Sequence, residues 1–277
     1  MIEKYTGIKI AEMLEDFHEK ECFLTANSQI HLNYGDNVEY ERLKEQVLLC
    51  NATREYLYSK PHGLKYIAGN RPELESIVNN ICGNCIDKRE NVLSLMCYIR
   101  DLHKKYDREQ LFYGGTEEEL IKKGEWLCEC VSRLMVALCE IKGIPGRTIF
   151  HAFSGHFTTE LFFEDKWGYV DPRFGLFYLN KKGMFASVDE LVNNRELIWV
   201  QNDYVKSFSS EYCNYEYRNH RNFFYCFSPR ERQCICHYSL MDKDKYHFDW
   251  ISYKKAQESM KEIHIRYIQL SNMILIR

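Results

Sequence analysis

The chain predicts an α+β protein in which a series of helices leads into an antiparallel sheet. Apolar residues recur at helical spacing through most of residues 1–110 and again after Cys128. From Arg147 the period changes to the alternation expected of strands. Two capping boxes, Thr116-Glu-Glu-Glu119 and Ser187-Val-Asp-Glu190, mark helix starts on either side of the strands. The 277 residues are enough for one or two domains with a substantial core. They divide into a mainly helical region over 1–110 packed on a core over 111–200, followed by an aromatic-rich region over 201–277.

In chain order, Ile8, Ala11, Met13 and Leu14 predict a first helix. The stretch from Tyr40 to Tyr58 predicts a second, with Leu43, Val47, Leu48, Ala52 and Leu57 on its apolar face. Pro72 in Arg71-Pro-Glu-Leu occupies the first turn of a third, where its missing N–H costs nothing. A fourth covers Val92 to Lys104, with Leu95, Met96, Ile99 and Leu102 inward. Gly114-Gly115 breaks the pattern, and the Thr116 capping box starts a short helix ending near Gly124. Val131, Leu134, Met135, Leu138 and Ile141 then define a helix buried along one stripe, which Gly143 and Pro145 stop. Strands are expected at Arg147–Phe153, His156–Phe163 and Trp167–Val170, with a helix resuming near Leu191. Residues 201–277 hold fifteen aromatics without regular period, so no role is read there; Phe223-Phe-Tyr-Cys-Phe227 suits a buried strand.

A net charge of −3, with 28% charged residues, gives no reason to expect nucleic acid or a membrane surface as partner. The first ten residues carry charge where a signal peptide needs an apolar core, and no stretch approaches the about 20 apolar residues of a span. A cytoplasmic location is therefore expected, with the twelve cysteines reduced. Cys82-Gly-Asn-Cys85 and Cys234-Ile-Cys236 have ligand-like spacing and could together make a four-thiolate zinc site. They lie far apart in sequence, so unrelated buried thiols are the alternative and no metal is assigned.

Chemistry concentrates between Cys128 and Asp171. Cys128 falls at the start of its helix, where unpaired amides and the dipole favour a thiolate and could hold an oxyanion. Cys130 is a rival about 200° round the helix, while Cys139 lies deep in it. If Glu164-Asp165 is a two-residue turn, Phe163 pairs with Lys166 and Thr158 falls opposite Asp171. His156 is then one diagonal step from Asp171, about 7–8 Å by Cα, a gap their side chains can bridge. Glu-Asp is not a favoured dipeptide for such a turn, and a three-residue loop would spoil the parity. His151 is the fallback base.

The phrases Gly124-Glu-Trp-Leu-Cys128, Gly143-Ile-Pro-Gly-Arg147, Gly155-His156 and Lys166-Trp-Gly-Tyr-Val-Asp171-Pro172 occur in a set order, with fifteen positions from Cys128 to Gly143 and fifteen from His156 to Asp171. Over roughly residues 110–180 this resembles the catalytic core of the transglutaminase-like superfamily. The resemblance implies a papain-like, transglutaminase-type core: a nucleophile helix on an antiparallel sheet, with Cys128, His156 and Asp171 as a triad and N-terminal helices as elaboration. It implies attack on a peptide or protein amide through a thioester, without a cofactor. Hydrolysis, as in a cysteine peptidase or amidase, is expected over transfer to an amine, since no β-sandwich modules or calcium loops of the large crosslinking enzymes are recognised. A non-catalytic protein- or glycan-binding module on the same fold is the competing reading. Some family members place an indole near the thiol, which makes Trp126 a candidate oxyanion helper, although a wedge beneath the helix is the plainer role. Arg147 matches the family's terminal Arg and suits a structural charge partner.

Overall fold

The computed structural model describes residues 2–14, 45–61, 63–105, 116–124, 127–209, 226–237 and 240. Helix α1 covers Gly7–Met13, strand β1 Val47–Leu48, and helix α2 Arg54–Leu57. Three amphipathic helices follow: α3 at Pro72–Cys82, α4 at Lys88–Asp101 and α5 at Glu117–Lys123. Helix α6, Cys128–Ile141, leads into β2 at Gly146–His151, β3 at His156–Phe163, β4 at Lys166–Asp171 and β5 at Leu176–Phe177. Short helices α7, Val188–Asn193, and α8, Asp203–Lys206, precede β6 at Gln233–His237. The strands form one antiparallel sheet in the order β1-β6-β2-β3-β4-β5, so the architecture is α+β. None of the helices among the described residues is long and apolar enough to cross a membrane.

Local chemistry accounts for most helix ends. Pro72 opens α3, which buries Leu74, Val78 and Cys82 at four-residue intervals. Asp87 caps α4 by accepting from the amides of Arg89 at 2.7 Å and Glu90 at 3.2 Å. Both expected capping boxes form, at Thr116 and at Ser187. Helix α6 ends in a Schellman motif: Gly143 takes φ 72°, its N–H reaches the Glu140 carbonyl at 3.0 Å, and the Ile144 N–H reaches Cys139 at 2.9 Å.

Four expectations change. Within the stretch 40–58, the described residues form β1 and α2 instead of one helix, with residues 40–44 outside the description. Val47 and Leu48 pair with Ile235 and Cys234, while the Thr53 hydroxyl donates to Leu48 O at 2.5 Å and accepts from Cys50 N at 3.0 Å. The partner strand lies almost 190 residues away, where local periodicity carries no trace of it. In α1 it is Ile10 that is buried, and Met13 is half exposed. Helix α6 is not buried along one stripe: every residue from Cys128 to Glu140 is buried, because the sheet covers one side and α3, α4 and α5 the other. Among its polar residues, Glu140 accepts from the Leu240 amide at 2.8 Å. Cys226 and Phe227 of the aromatic stretch are buried in a turn before β6, and Phe223–Tyr225 lie outside the description.

The sheet has two differently furnished faces. Phe150, Phe157, Leu161 and Phe163 join the core under α6, and Thr159 donates to the Ser132 carbonyl there at 3.3 Å. Ile149, Tyr169 and Ile235 point the other way, against Leu57, Val188, Leu191 and Phe227. Within this second layer Arg147 and Glu160, directly opposed on β2 and β3, form a fully buried pair at 2.6 and 2.9 Å. Arg147 also donates to Leu57 O and lies between the rings of Tyr58 and Trp167. The remaining oxygen of Glu160 accepts from Tyr58 OH at 3.0 Å and Val188 N at 2.6 Å. Arg147 is thus the structural partner expected of it.

The β3–β4 turn has the expected two residues, with Phe163 opposite Lys166. Glu164 and Asp165 both adopt left-handed φ, 56° and 57°, the conformation that matches the twist of adjoining strands. Arg89 holds Glu164 at 2.5 Å, so a tertiary ion pair supports a dipeptide that local preference disfavours.

Two stability outcomes follow. Arg147→Met leaves the Glu160 carboxylate buried without its cation and is expected to cost about 3–5 kcal/mol in urea unfolding, whereas Arg147→Met combined with Glu160→Leu recovers most of that loss. Asp165→Gly removes the left-handed penalty at a solvent-facing turn and is expected to raise the unfolding free energy by about 1 kcal/mol; an unchanged or lower midpoint would count against a strained turn.

Candidate active site

The ends of three elements meet at one point. Cys128 is the first residue of α6, His156 the first of β3 and Asp171 the last of β4. The pairing of Thr159 with Val170 continues the register that brings His156 diagonally beside Asp171. Their side chains meet, with His156 Nε2 2.6 Å from Asp171 Oδ2. The Cys128 thiol lies close enough to this imidazole, and to the backbone N–H of Phe157, for both to act on it. Leu127 caps α6 without a side-chain acceptor, and Cys128 takes the first helical position.

The electrostatics favour separated charges. Burial pushes the Cys128 thiol up, yet the hydrogen bond and charge of His156, with help from Arg173, outweigh it and the thiol ends below its ordinary range. Burial likewise disfavours an imidazolium at His156. The charge and hydrogen bond of Asp171, then those of Cys128, overturn this and raise the group to about 9. Thiolate and imidazolium therefore stabilise each other.

Asp171 performs two tasks at once. Its Oδ1 accepts from Arg173 N at 3.0 Å and Phe174 N at 3.4 Å, making the turn expected of Asp before Pro, while Oδ2 holds the imidazole. The turn lays Phe174 against His156, ring centroids 5.9 Å apart, and Arg173 over Phe174 with its guanidinium carbon 5.1 Å from the centroid. Gly175 closes it at φ 67°, where a Cβ would collide with the Phe208 carbonyl and the Arg100 side chain. Arg173 and Phe174 were not singled out in the sequence; an Asx turn at Asp171 was the available signal.

The rivals are accounted for. His151 stacks beside His156 at 6.3 Å, but its Nδ1 donates to Cys226 O at 3.0 Å and its Nε2 accepts from the Thr158 hydroxyl at 3.0 Å. Burial first, then the charge of His156, lowers it to about 3, so it stays neutral and is no general base. Cys130 is fully buried with its thiol toward the Glu129 carboxylate at 3.4 Å. Cys226 lies close enough for its thiol to sense Asp171 and Cys128, and burial pushes it up. Glu231 ties down the β2–β3 connection through the amides of Phe153 and Ser154. Trp126 lies outside the described residues. Trp167 donates to Ser59 O at 3.1 Å in the second layer and is structural.

The four-cysteine zinc alternative is not supported: among the described residues no group of three or more metal-ligating side chains comes together. Cys82 packs in the helical core, Cys85 donates to Glu90 at 3.1 Å, and Cys234 and Cys236 are buried on one face of β6.

The chain matches no family model, no curated protein and no solved structure. The case for a site accordingly rests on its geometry and charge.

Cysteine-resolved labelling tests that case. At pH 7 iodoacetamide is expected to modify Cys128 at least about tenfold faster than Cys82, Cys85, Cys97, Cys139, Cys226 and Cys234, all of which are pushed upward. His156→Ala should abolish that advantage; equal labelling of native and variant would remove His156 as the activating group.

Proposed function

We propose that the protein is a thiol-dependent acyl hydrolase acting on a peptide or protein amide, with Cys128 as nucleophile, His156 as proton carrier, Asp171 as its orienting carboxylate, and a papain-like, transglutaminase-type arrangement of helix on sheet. The observation that carries the reading is the imidazole held between Asp171 at 2.6 Å and the Cys128 thiol, with the two shifts favouring a thiolate–imidazolium pair.

In the proposed reaction the Cys128 sulfur attacks the carbonyl carbon, and the negative charge moves to oxygen. The positive end of the α6 dipole, beside the sulfur, stabilises that oxyanion. The intermediate collapses as His156 gives its proton to the departing amine nitrogen, leaving a thioester on Cys128 and a neutral imidazole. His156 then takes a proton from water as it attacks the thioester, and expulsion of sulfur restores the ion pair. Asp171 fixes the ring's tautomer throughout and stabilises its charged form.

The pH dependence has a definite sign. The ion pair exists above the lowered pKa of Cys128 and below that of His156, so kcat/KM is expected to fall on the alkaline side around pH 9 and to hold on the acid side below the usual thiol range. A panel of peptidyl amides, followed by release of a fluorescent amine and by mass spectrometry of Cys128, tests the reading directly. Native protein should form a Cys128 thioester that turns over, Cys128→Ala should be inactive, and Asp171→Asn should lose about a hundredfold or more. A thioester released only by added amine would make the protein a transferase, and a thiol that never acylates would make it a binding module.

A further inference from the structure

The loop that leads into His156 is held from one distant segment. Strand β2 ends at His151 and β3 begins at His156, its cross-strand partner, so four residues make the connection. Ala152 N donates to Arg232 O at 2.9 Å, Phe153 N to Glu231 Oε1 at 2.7 Å, Ser154 N to Glu231 Oε2 at 2.9 Å, and Gly155 N to His151 O at 2.8 Å. Every backbone N–H of the loop thus has an acceptor, and three of the four end on Glu231 and Arg232. Consecutive N–H groups that converge in a turn form an anion-binding nest. Here the anion is the protein's own buried carboxylate, with Arg232 N at 2.9 Å as its third donor. The stretch that carries it also reaches the ring stacked beside His156, because Cys226 O accepts from His151 Nδ1 at 3.0 Å and from Gln233 Nε2 at 2.8 Å.

His156 is the first residue of its strand, so the loop before it decides where its side chain points. Its Nε2 has to stay 2.6 Å from Asp171 Oδ2, and a displacement of about 1 Å at a reacting group can cost about a hundredfold in rate. We propose that Glu231 is a positioning residue for the reaction: by clamping the backbone of the 152–155 loop it fixes where β3 begins, and so holds the His156 imidazole against Asp171. Glu231 acts through the loop and takes no part in the proton transfers. This inference rests on the triad of the proposed function, and the test separates the two.

In the native protein the Phe153 and Ser154 amides should exchange with deuterium as slowly as those of β2 and β3, although they lie in a hairpin loop; this measurement needs no variant to fold. The Nε2 proton that His156 shares with Asp171 should give a low-field NMR resonance. Glu231→Gln keeps the shape of the side chain but turns an NH₂ group toward one of the loop amides. It is expected to move that resonance upfield or broaden it, and to slow iodoacetamide at Cys128 about tenfold at pH 7. On peptidyl amides it should lower kcat by about the same factor with KM unchanged. Glu231→Asp keeps both acceptors on a shorter arm and should fall between. Ser187→Ala removes the cap of α7 in the second layer; it controls for general loss of stability and should leave resonance and labelling as they are.

Resonance and labelling unchanged in Glu231→Gln, fast exchange at Phe153 and Ser154 in the native protein, or equal losses in Ser187→Ala would overturn the positioning role while leaving the triad standing. Native Cys128 labelled no faster than the other thiols would overturn both.

Discussion

The ion pair of Arg147 and Glu160 is the constraint on which the arrangement depends. Burying two charges costs several kcal/mol unless each is matched in geometry and hydrogen bonding, and here a guanidinium fork meets a carboxylate across adjacent strands with two aromatic rings on the cation and two further donors on the anion. A slip of β2 against β3 by one residue would turn one partner into the opposite layer, so the register is specified by the cost of separating them. The same pair ties in Leu57 and Tyr58 from the N-terminal region and the start of α7. Two stretches of chain are thereby fastened to the strands that carry the site.

That register decides the fate of two histidines. His151 and His156 are cross-strand partners with stacked rings, yet one is held neutral and the other charged. Burial disfavours a proton on His151 and the positive charge of His156 disfavours it further, while the Cys226 carbonyl offsets only part of this. Its partner beside a carboxylate and a thiol gains from both. Identical side chains a few ångströms apart are thus given opposite protonation by burial and by the charges each one faces. The neutral one joins Thr158 to the Cys226 backbone behind the triad and gives the charged one a polar, uncharged neighbour.

Helix α6 shows the same economy from the other side. Sheet and helices enclose it along its whole length, and only its first residue meets the ends of β3 and β4. Burial of α6 on both sides fixes its N-terminus, and with it the Cys128 sulfur, against the sheet. The turn after Asp171 adds Arg173 and Phe174 to the same corner, so one carboxylate organises the base and the surroundings of the thiol together.

Much of this was legible locally. Capping boxes, Pro72 at a first turn, Gly143 at a helix stop and the alternation from Arg147 all act within a few residues, and each appears where the local chemistry puts it. The diagonal from His156 to Asp171 followed from the pleat and a two-residue turn, both local properties. Pairing between distant segments was not legible. β1 exists because β6 pairs with it, Glu164 tolerates a left-handed turn because Arg89 reaches it from α4, and α6 is buried all round because three helices close over a face carrying Arg133 and Glu140. The four cysteines of the zinc alternative were likewise separated by tertiary packing. The sequence by itself determined the capped helices, the strands from Arg147 onward and the order of the candidate site residues, since these depend on short-range torsional and hydrogen-bond preferences. The charge states of those residues, and the company of Arg173 and Phe174, were decided by the tertiary structure, because desolvation and Coulomb energy depend on which groups folding brings within a few ångströms.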